Sequence, residues 1–170
     1  MVNILIFLIG MPAAGKSTIG KELSKIVKYD FIDTDCEIER KEKKSIKNIF
    51  KEKGEGYFRK LEKDLLKDII KSDKKVVATG GGLPIYSSNM DILNKEGITI
   101  FLDVPFEELL RRNKKNNKRP LLDKENKYDR LKEIYNSRIH IYNKCKIKVE
   151  NYNISVYELC IKILKEVNNF

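Results

Sequence analysis

Residues 10 to 18, Gly-Met-Pro-Ala-Ala-Gly-Lys-Ser-Thr, restrict the possible folds of this chain more than any other stretch. They follow the apolar run from Ile4 to Ile9 and lead into a segment that places Ile19, Leu23, Ile26 and Val27 at helical spacing. A strand, a glycine-bounded turn and a helix opening on Gly-Lys-Ser form the context that a phosphate-binding loop requires. Glycine lets the backbone bend until successive N–H groups face one concavity, and the positive end of the following helix favours an anion there. A nucleoside triphosphate is therefore expected over Gly10, Met11, Pro12, Ala13, Ala14, Gly15, Lys16, Ser17 and Thr18. Lys16 would serve its outer phosphates, and the Ser17 hydroxyl would ligand a bridging Mg²⁺.

The rest of the chain alternates apolar runs with amphipathic stretches. Strands are expected at about 3–9, 31–32, 76–79, 98–102 and 147–149, and helices at 16–28, 36–53, 57–71, 88–96, from Phe106, at 127–143 and from Ser155. Gly54-Glu55-Gly56 reads as the break between the second and third helices. Such alternation predicts an α/β fold, a mainly parallel sheet with helices on both faces. Ligands bind these sheets beyond the carboxyl ends of the strands, so the loops after strands one, two and three can meet in one site. The polar stretch from Arg111 to Lys127, interrupted by Arg119-Pro120-Leu121-Leu122, reads as a lid.

Length and charge narrow the class. With 170 residues the chain is expected to form one domain over residues 1–170, burying its core without a disulfide or metal staple. No run reaches the ~20 apolar residues that span a bilayer, so no membrane partner is expected. The phosphate loop begins at residue 10, so no signal or transit peptide is expected ahead of it. Cys36, Cys145 and Cys160 are widely spaced and lack a metal-ligand pattern; reduced thiols in a cytoplasmic protein fit them. The formal net charge of +10 raises a nucleic-acid reading, but 25 acidic residues interleave with the 35 basic ones and no aromatic-basic RNA motif is present. Solvated helix faces account for the surplus, and no nucleic-acid partner is expected.

Two further loops carry candidate chemistry. Asp33-Thr34-Asp35 ends the second strand with two carboxylates expected on one side of it. One could orient Mg²⁺ or its waters and the other accept a hydroxyl proton from a phosphate acceptor; alternatively, Thr34 or Asp35 caps the next helix. Gly80-Gly81-Gly82, after the third strand, suits close approach of a ligand to bare backbone whose N–H groups bind carboxylate or phosphate.

In order, the loop at 10–18, Asp33-Thr34-Asp35, Ser45-Ile46-Lys47-Asn48-Ile49-Phe50, Gly54-Glu55-Gly56-Tyr57-Phe58-Arg59-Lys60-Leu61-Glu62, Gly80-Gly81-Gly82, Arg119-Pro120-Leu121-Leu122, and Arg138 four residues before Tyr142 form one set. This set resembles the motifs of the shikimate kinase family, P-loop kinases of the nucleoside monophosphate kinase type, and the resemblance covers nearly all of residues 1 to 165. It implies a three-layer α/β/α P-loop NTPase fold with a central five-stranded parallel sheet of order 2-3-1-4-5. Acceptor-binding helices would lie at about 36–71 and a lid at about 113–124. The implied activity is ATP-dependent phosphorylation of the 3-hydroxyl of shikimate, with Mg²⁺, on the way to chorismate and the aromatic amino acids.

The resemblance also implies roles. Arg59, Arg138 and the N–H groups of Gly80, Gly81 and Gly82 would hold the acceptor carboxylate. Asp35 would bind the ring hydroxyls and act as base, Asp33 and Ser17 would serve Mg²⁺, and Phe50 and Phe58 would line the ring pocket. Lys16, Asp35 and Arg119 would be catalytic, with Arg119 reaching ATP from the lid and Arg112 lying against adenine. ATP and shikimate are the implied partners, and a monomer is expected. The chain departs from the family pattern at His140 and at Asn153-Ile154-Ser155, two places where the family usually has a proline. Arg59 and Arg112 could instead be solvent-facing partners of Glu62 and Glu108. The rival functions are another small-molecule P-loop kinase, for gluconate or a nucleoside monophosphate, and a non-enzymatic nucleotide- or nucleic-acid-binding module.

Overall fold

A parallel strand covered on both faces reads as an unbroken apolar run, and the first strand, β1 (Leu5–Ile9), is buried at every position. The structure is a computed structural model that describes residues 4–115 and 127–169. After β1 come α1 (Lys16–Val27), β2 (Asp30–Asp33), α2 (Thr34–Glu42), α3 (Ile46–Ile69) and β3 (Lys75–Ala78). A 3₁₀ turn (Leu83–Ile85), α4 (Asn89–Glu96), β4 (Gly97–Asp103), α5 (Phe106–Lys115), α6 (Lys127–Tyr142), β5 (Ile147–Glu150) and α7 (Val156–Asn168) complete the order.

The described strands form one parallel sheet of order β2-β3-β1-β4-β5, as the resemblance implies. Leu5 of β1 is level with Lys75 of β3 on one side and Gly97 of β4 on the other, so β1 lies at the centre. Its carboxyl end delivers Gly10, and the neighbouring strands deliver Asp33, the glycine triplet and Asp103 to the same edge. Helix α1 packs on β3 and against α7, burying Ile19, Leu23 and Val27 from its predicted apolar side. Ser155 opens α7 with a reciprocal capping box: its side chain accepts from the Glu158 N–H, while the Glu158 carboxylate accepts from the Ser155 N–H.

The region between β2 and β3 differs from the sequence reading. The stretch 36–53, expected as one helix, is broken at residues 43–45, where Lys43 takes a left-handed conformation (φ 53°) and Ser45 caps α3 by accepting from the Asn48 N–H at 3.3 Å. The Glu39 carboxylate reaches across this corner to accept from the Ile46 N–H at 2.8 Å. The break expected at Gly54-Glu55-Gly56 is present: Gly54 (φ 77°, ψ 174°) leaves helical geometry, so α3 is two helical stretches meeting at a kink, in a conformation open to glycine because it lacks a Cβ.

The acidic loop also corrects the reading. Asp33 ends β2 and is itself the N-cap of α2, its Oδ1 accepting from the N–H groups of Asp35 (3.1 Å) and Cys36 (3.2 Å). Asp35 thus lies in the first turn of a helix, and the alternation of a strand does not relate the two carboxylates. Helix α5 continues through Lys115, so the stretch from Arg111 expected as lid begins as helix. Arg119 and residues 116–126 of the expected lid lie outside the described residues.

The close pairing of β1 with β4 is testable. A Cβ at Gly97 would lie 2.5 Å from the Leu5 carbonyl oxygen, so a side chain there has to push the two strands apart. Gly97→Ala is expected to cost about 1–3 kcal/mol of stability, read from the urea unfolding midpoint. An unchanged midpoint would contradict the pairing.

Candidate active site

The loop between β1 and α1 is shaped by three residues with positive φ: Gly10 (141°), Ala13 (65°) and Gly15 (87°). The Ala14 N–H donates to the Met11 carbonyl at 3.1 Å, closing the turn. No side chain caps α1, so its first N–H groups face the loop's concavity, where an anion can take them. The Lys16 ammonium spans the mouth of the loop, donating to the carbonyls of Gly10 (2.9 Å) and Met11 (2.8 Å). Thr18 and Ser17 are exposed at the start of α1. The Ser17 hydroxyl donates to Asp33 Oδ2 at 2.5 Å, which joins the loop to the end of β2.

Around the glycine triplet the groups converge. A Cβ at Gly80 would collide with Asp35 Oδ1 and lie 3.3 Å from Glu62 Oε1. At Gly81 it would lie 3.1 Å from Arg138 Nη1 and 3.4 Å from Pro12 Cδ; at Gly82 it would lie 2.6 and 2.9 Å from the two Nη atoms of Arg59. Asp35, Arg59, Arg138 and the triplet, more than a hundred residues apart at the extremes, thus share one space beside the phosphate loop. Phe50 and Phe58 pack against each other, tilted by 40° with ring centroids 4.8 Å apart, and the Phe58 ring lies 5.6 Å from Arg59 Cζ. Arg112 lies elsewhere, its Nε donating to Glu108 at 2.6 Å and its Nη2 to the Asn151 carbonyl at 3.1 Å. Arg111 and Arg112 together hold the Glu108 carboxyl down at about 2.

Arg59 is not the solvent-facing residue of the alternative reading. Its side chain is 13% exposed, and it donates to Glu55 from Nε (3.1 Å) and Nη2 (2.8 Å) and to Glu62 from Nη1 (2.7 Å). Among the described residues this uses three of its five N–H groups and leaves one on each Nη. Burial works against the Arg59 charge, and Glu62 and Glu55 more than offset it. At Glu62, whose side chain is only 2% exposed, burial prevails instead: loss of hydration pushes the carboxyl up to about 7 although Arg59 and Arg138 pull it down, and Asp35 adds to the rise.

Several contributors carry little sequence signal. Glu62 is three residues from Arg59 on a helix, a spacing that marks a contact but not its burial. Thr34 is buried and its Oγ1 accepts from the Gly80 N–H at 2.7 Å, tying the acidic loop to the triplet. The Tyr142 hydroxyl, pushed up to about 12 by burial, donates to the Gly81 carbonyl at 2.6 Å. Asn151 donates from Nδ2 to the Ala14 carbonyl at 2.7 Å across 137 positions, and no local pattern announces that contact. His140 is exposed, and α6 carries Arg138 to the triplet without the usual proline.

A phosphate loop at the carboxyl edge of this sheet, with two arginines and an aspartate gathered beside it, is the arrangement of a P-loop phosphotransferase. Comparison with known proteins makes this specific: the shikimate kinase family model matches residues 12–168. A shikimate kinase of Clostridium botulinum (strain Okra / Type B1) is 51% identical over 162 residues, covering 94% of each chain. One from Persephonella marina is 41% identical over 162 residues, covering 95% of this chain and 98% of its own. The structure of a shikimate kinase from Acinetobacter baumannii in complex with shikimate superposes with a TM-score of 0.93 at 32% identity, over 99% of this chain and 94% of that one. The chain belongs to the shikimate kinase family, and ATP-dependent phosphorylation of shikimate is favoured over the gluconate, nucleotide and non-enzymatic alternatives.

The state of Glu62 can be measured directly. Carbon-13 NMR of labelled glutamate carboxyls should show this group titrating near 7, and a midpoint near the ordinary 4.5 would contradict the buried cluster. An unfolded chain ionises it near 4.5, so between there and 7 the folded state holds the extra proton, and stability from this residue falls as pH rises through that window. Glu62→Gln should remove that slope.

Proposed function

We propose that residues 10 to 18 bind the phosphates of ATP and that Arg59, Arg138 and the backbone at Gly81 and Gly82 hold the shikimate carboxylate beside Asp35; the Gly80 N–H, expected to join them, is taken by Thr34 instead. The observation that carries this reading is the convergence of both arginines and Asp35 on the triplet. A guanidinium binds a carboxylate bidentately, and Arg59 retains one N–H on each Nη facing Gly82, the pair such binding takes. Phe50 and Phe58 offer the apolar side against which a carbon ring rests.

In this reading Asp35 accepts a hydrogen bond from the reacting hydroxyl, orients it toward the phosphate loop and takes its proton. Lys16, already held at the mouth of the loop, neutralises charge on the outer phosphates. Ser17 and Asp33 suit Mg²⁺: they are hard oxygen donors brought within 2.5 Å of each other, and this ion keeps several waters and phosphate oxygens beside one or two protein groups. When bound it neutralises phosphate charge. Arg112, tied to Asn151 next to the loop, is assigned to the adenine side, and Arg119 to ATP. Action as a monomer in a reducing cytoplasm is part of this reading, and the free thiols of Cys36, Cys145 and Cys160 suit such a cytoplasm. No described helix is long and apolar enough to cross a membrane.

The test is ADP release with shikimate, gluconate and nucleoside monophosphates offered side by side, together with calorimetric titration of variants. Shikimate alone should support rapid turnover. Lys16→Ala should lower turnover by about a hundredfold or more with the fold intact. Arg59→Ala and Arg138→Ala should each weaken shikimate binding about tenfold to hundredfold, while ATP affinity hardly changes. Shikimate binding as tight as the parent's in both arginine variants would overturn the assignment.

A further inference from the structure

Tyr86 stands out because a large ring is left 48% exposed beside a guanidinium that is itself nearly enclosed. Its ring centroid lies 5.7 Å from Arg59 Cζ, and the Phe58 ring lies 5.6 Å from the same atom. Both are within the ~6 Å over which an aromatic face attracts a cation. Packing does not account for the position: Leu83 and Pro84, both buried, already anchor this turn to the core, and the Asn89 amide holds it by donating to the Leu83 carbonyl at 2.9 Å.

The backbone places Tyr86 on the same turn as the glycine triplet. Its N–H donates to the Gly82 carbonyl at 3.2 Å, and its own carbonyl accepts from the Asn89 N–H at 3.2 Å. Position 86 is thus fixed relative to Gly82, the residue facing both Arg59 Nη atoms. Of the ionic partners that orient Arg59, Glu55 is 64% exposed and screened by water, and Glu62 grips only Nη1. Both act on the guanidinium through its edge N–H groups, and the Tyr86 ring adds a cation–π contact that these hydrogen bonds do not supply.

We propose that Tyr86 is a positioning residue for acceptor recognition, its ring face holding the Arg59 guanidinium so that the two unused N–H groups face the carboxylate above Gly82. This rests on the assignment of Arg59 to the acceptor carboxylate. Tyr86 itself contacts no reacting atom, and its effect passes through Arg59.

The experiment is steady-state kinetics of Tyr86→Ala, Tyr86→Phe, Arg59→Ala and the double variant Arg59→Ala/Tyr86→Ala. Tyr86→Ala should raise KM for shikimate about three- to thirtyfold, with kcat falling far less and KM for ATP within about twofold of the parent's. Tyr86→Phe keeps the ring and should restore KM for shikimate. In the Arg59→Ala background, removing the ring should add nothing, because the group it holds is gone. An unchanged KM in Tyr86→Ala, an equal rise for ATP, a Phe variant as poor as Ala, or the same rise in both backgrounds would each overturn the proposal. Arg59→Ala with an unaltered KM for shikimate would overturn the assignment of Arg59 and the role of Tyr86 with it. An impaired Arg59→Ala beside a neutral Tyr86→Ala would overturn the role of Tyr86 alone.

Discussion

Each of the three glycines after β3 stands where a Cβ would run into a functional group: Asp35 and Glu62 at Gly80, Arg138 at Gly81, Arg59 at Gly82. The close approach brings two guanidinium ions and a carboxylate against bare backbone, the arrangement on which the proposed reading of a small anion rests. It also explains why so much of the molecule is tied to this turn. Thr34 holds Gly80 from α2, Tyr142 holds Gly81 from α6, and Tyr86 holds Gly82 from within the turn itself. Two elements distant in sequence and the turn itself therefore set the pocket's shape through hydrogen bonds to three consecutive residues.

The charges in this space are balanced against burial. Two arginines near one another need negative partners, and a fully ionised Glu62 inside the fold costs hydration that its pair with Arg59 does not return. Burial and Asp35 push the Glu62 carboxyl up, Arg59 and Arg138 pull it down, and burial prevails. Arg59 keeps its exposed partner Glu55 and spare N–H groups, so an acceptor carboxylate can join without breaking the buried pair.

What local patterns encode was legible in the sequence. The buried strand, the glycine spacing of the phosphate loop and the apolar side of α1 depend on residues within a few positions of one another, and the sheet order agrees with the family resemblance. The corner at residues 43–45 was missed because Lys43 adopts a left-handed backbone stabilised by the reach of Glu39 to Ile46. The break at Gly54 was legible because only glycine takes its backbone conformation readily, and the helical stretch beyond it carries Phe58 and Arg59. Asp33 was not legible as the cap of α2, because the sequence offers Thr34 and Asp35 for that place and one carboxylate serves both Ser17 and the helix. Contacts such as Asn151 to Ala14 depend on the final packing of β5 against the loop's surroundings and leave no periodic trace.

The central claim is that the acceptor is read through its negative charge by Arg59, Arg138 and the triplet. Turnover of shikimate against its neutral methyl ester tests that claim most directly, since the ester keeps the ring and hydroxyls and removes only the charge. The account predicts kcat/KM lower for the ester by about a hundredfold or more, as the buried guanidinium groups are left without their partner. Equal use of the acid and the ester would contradict it.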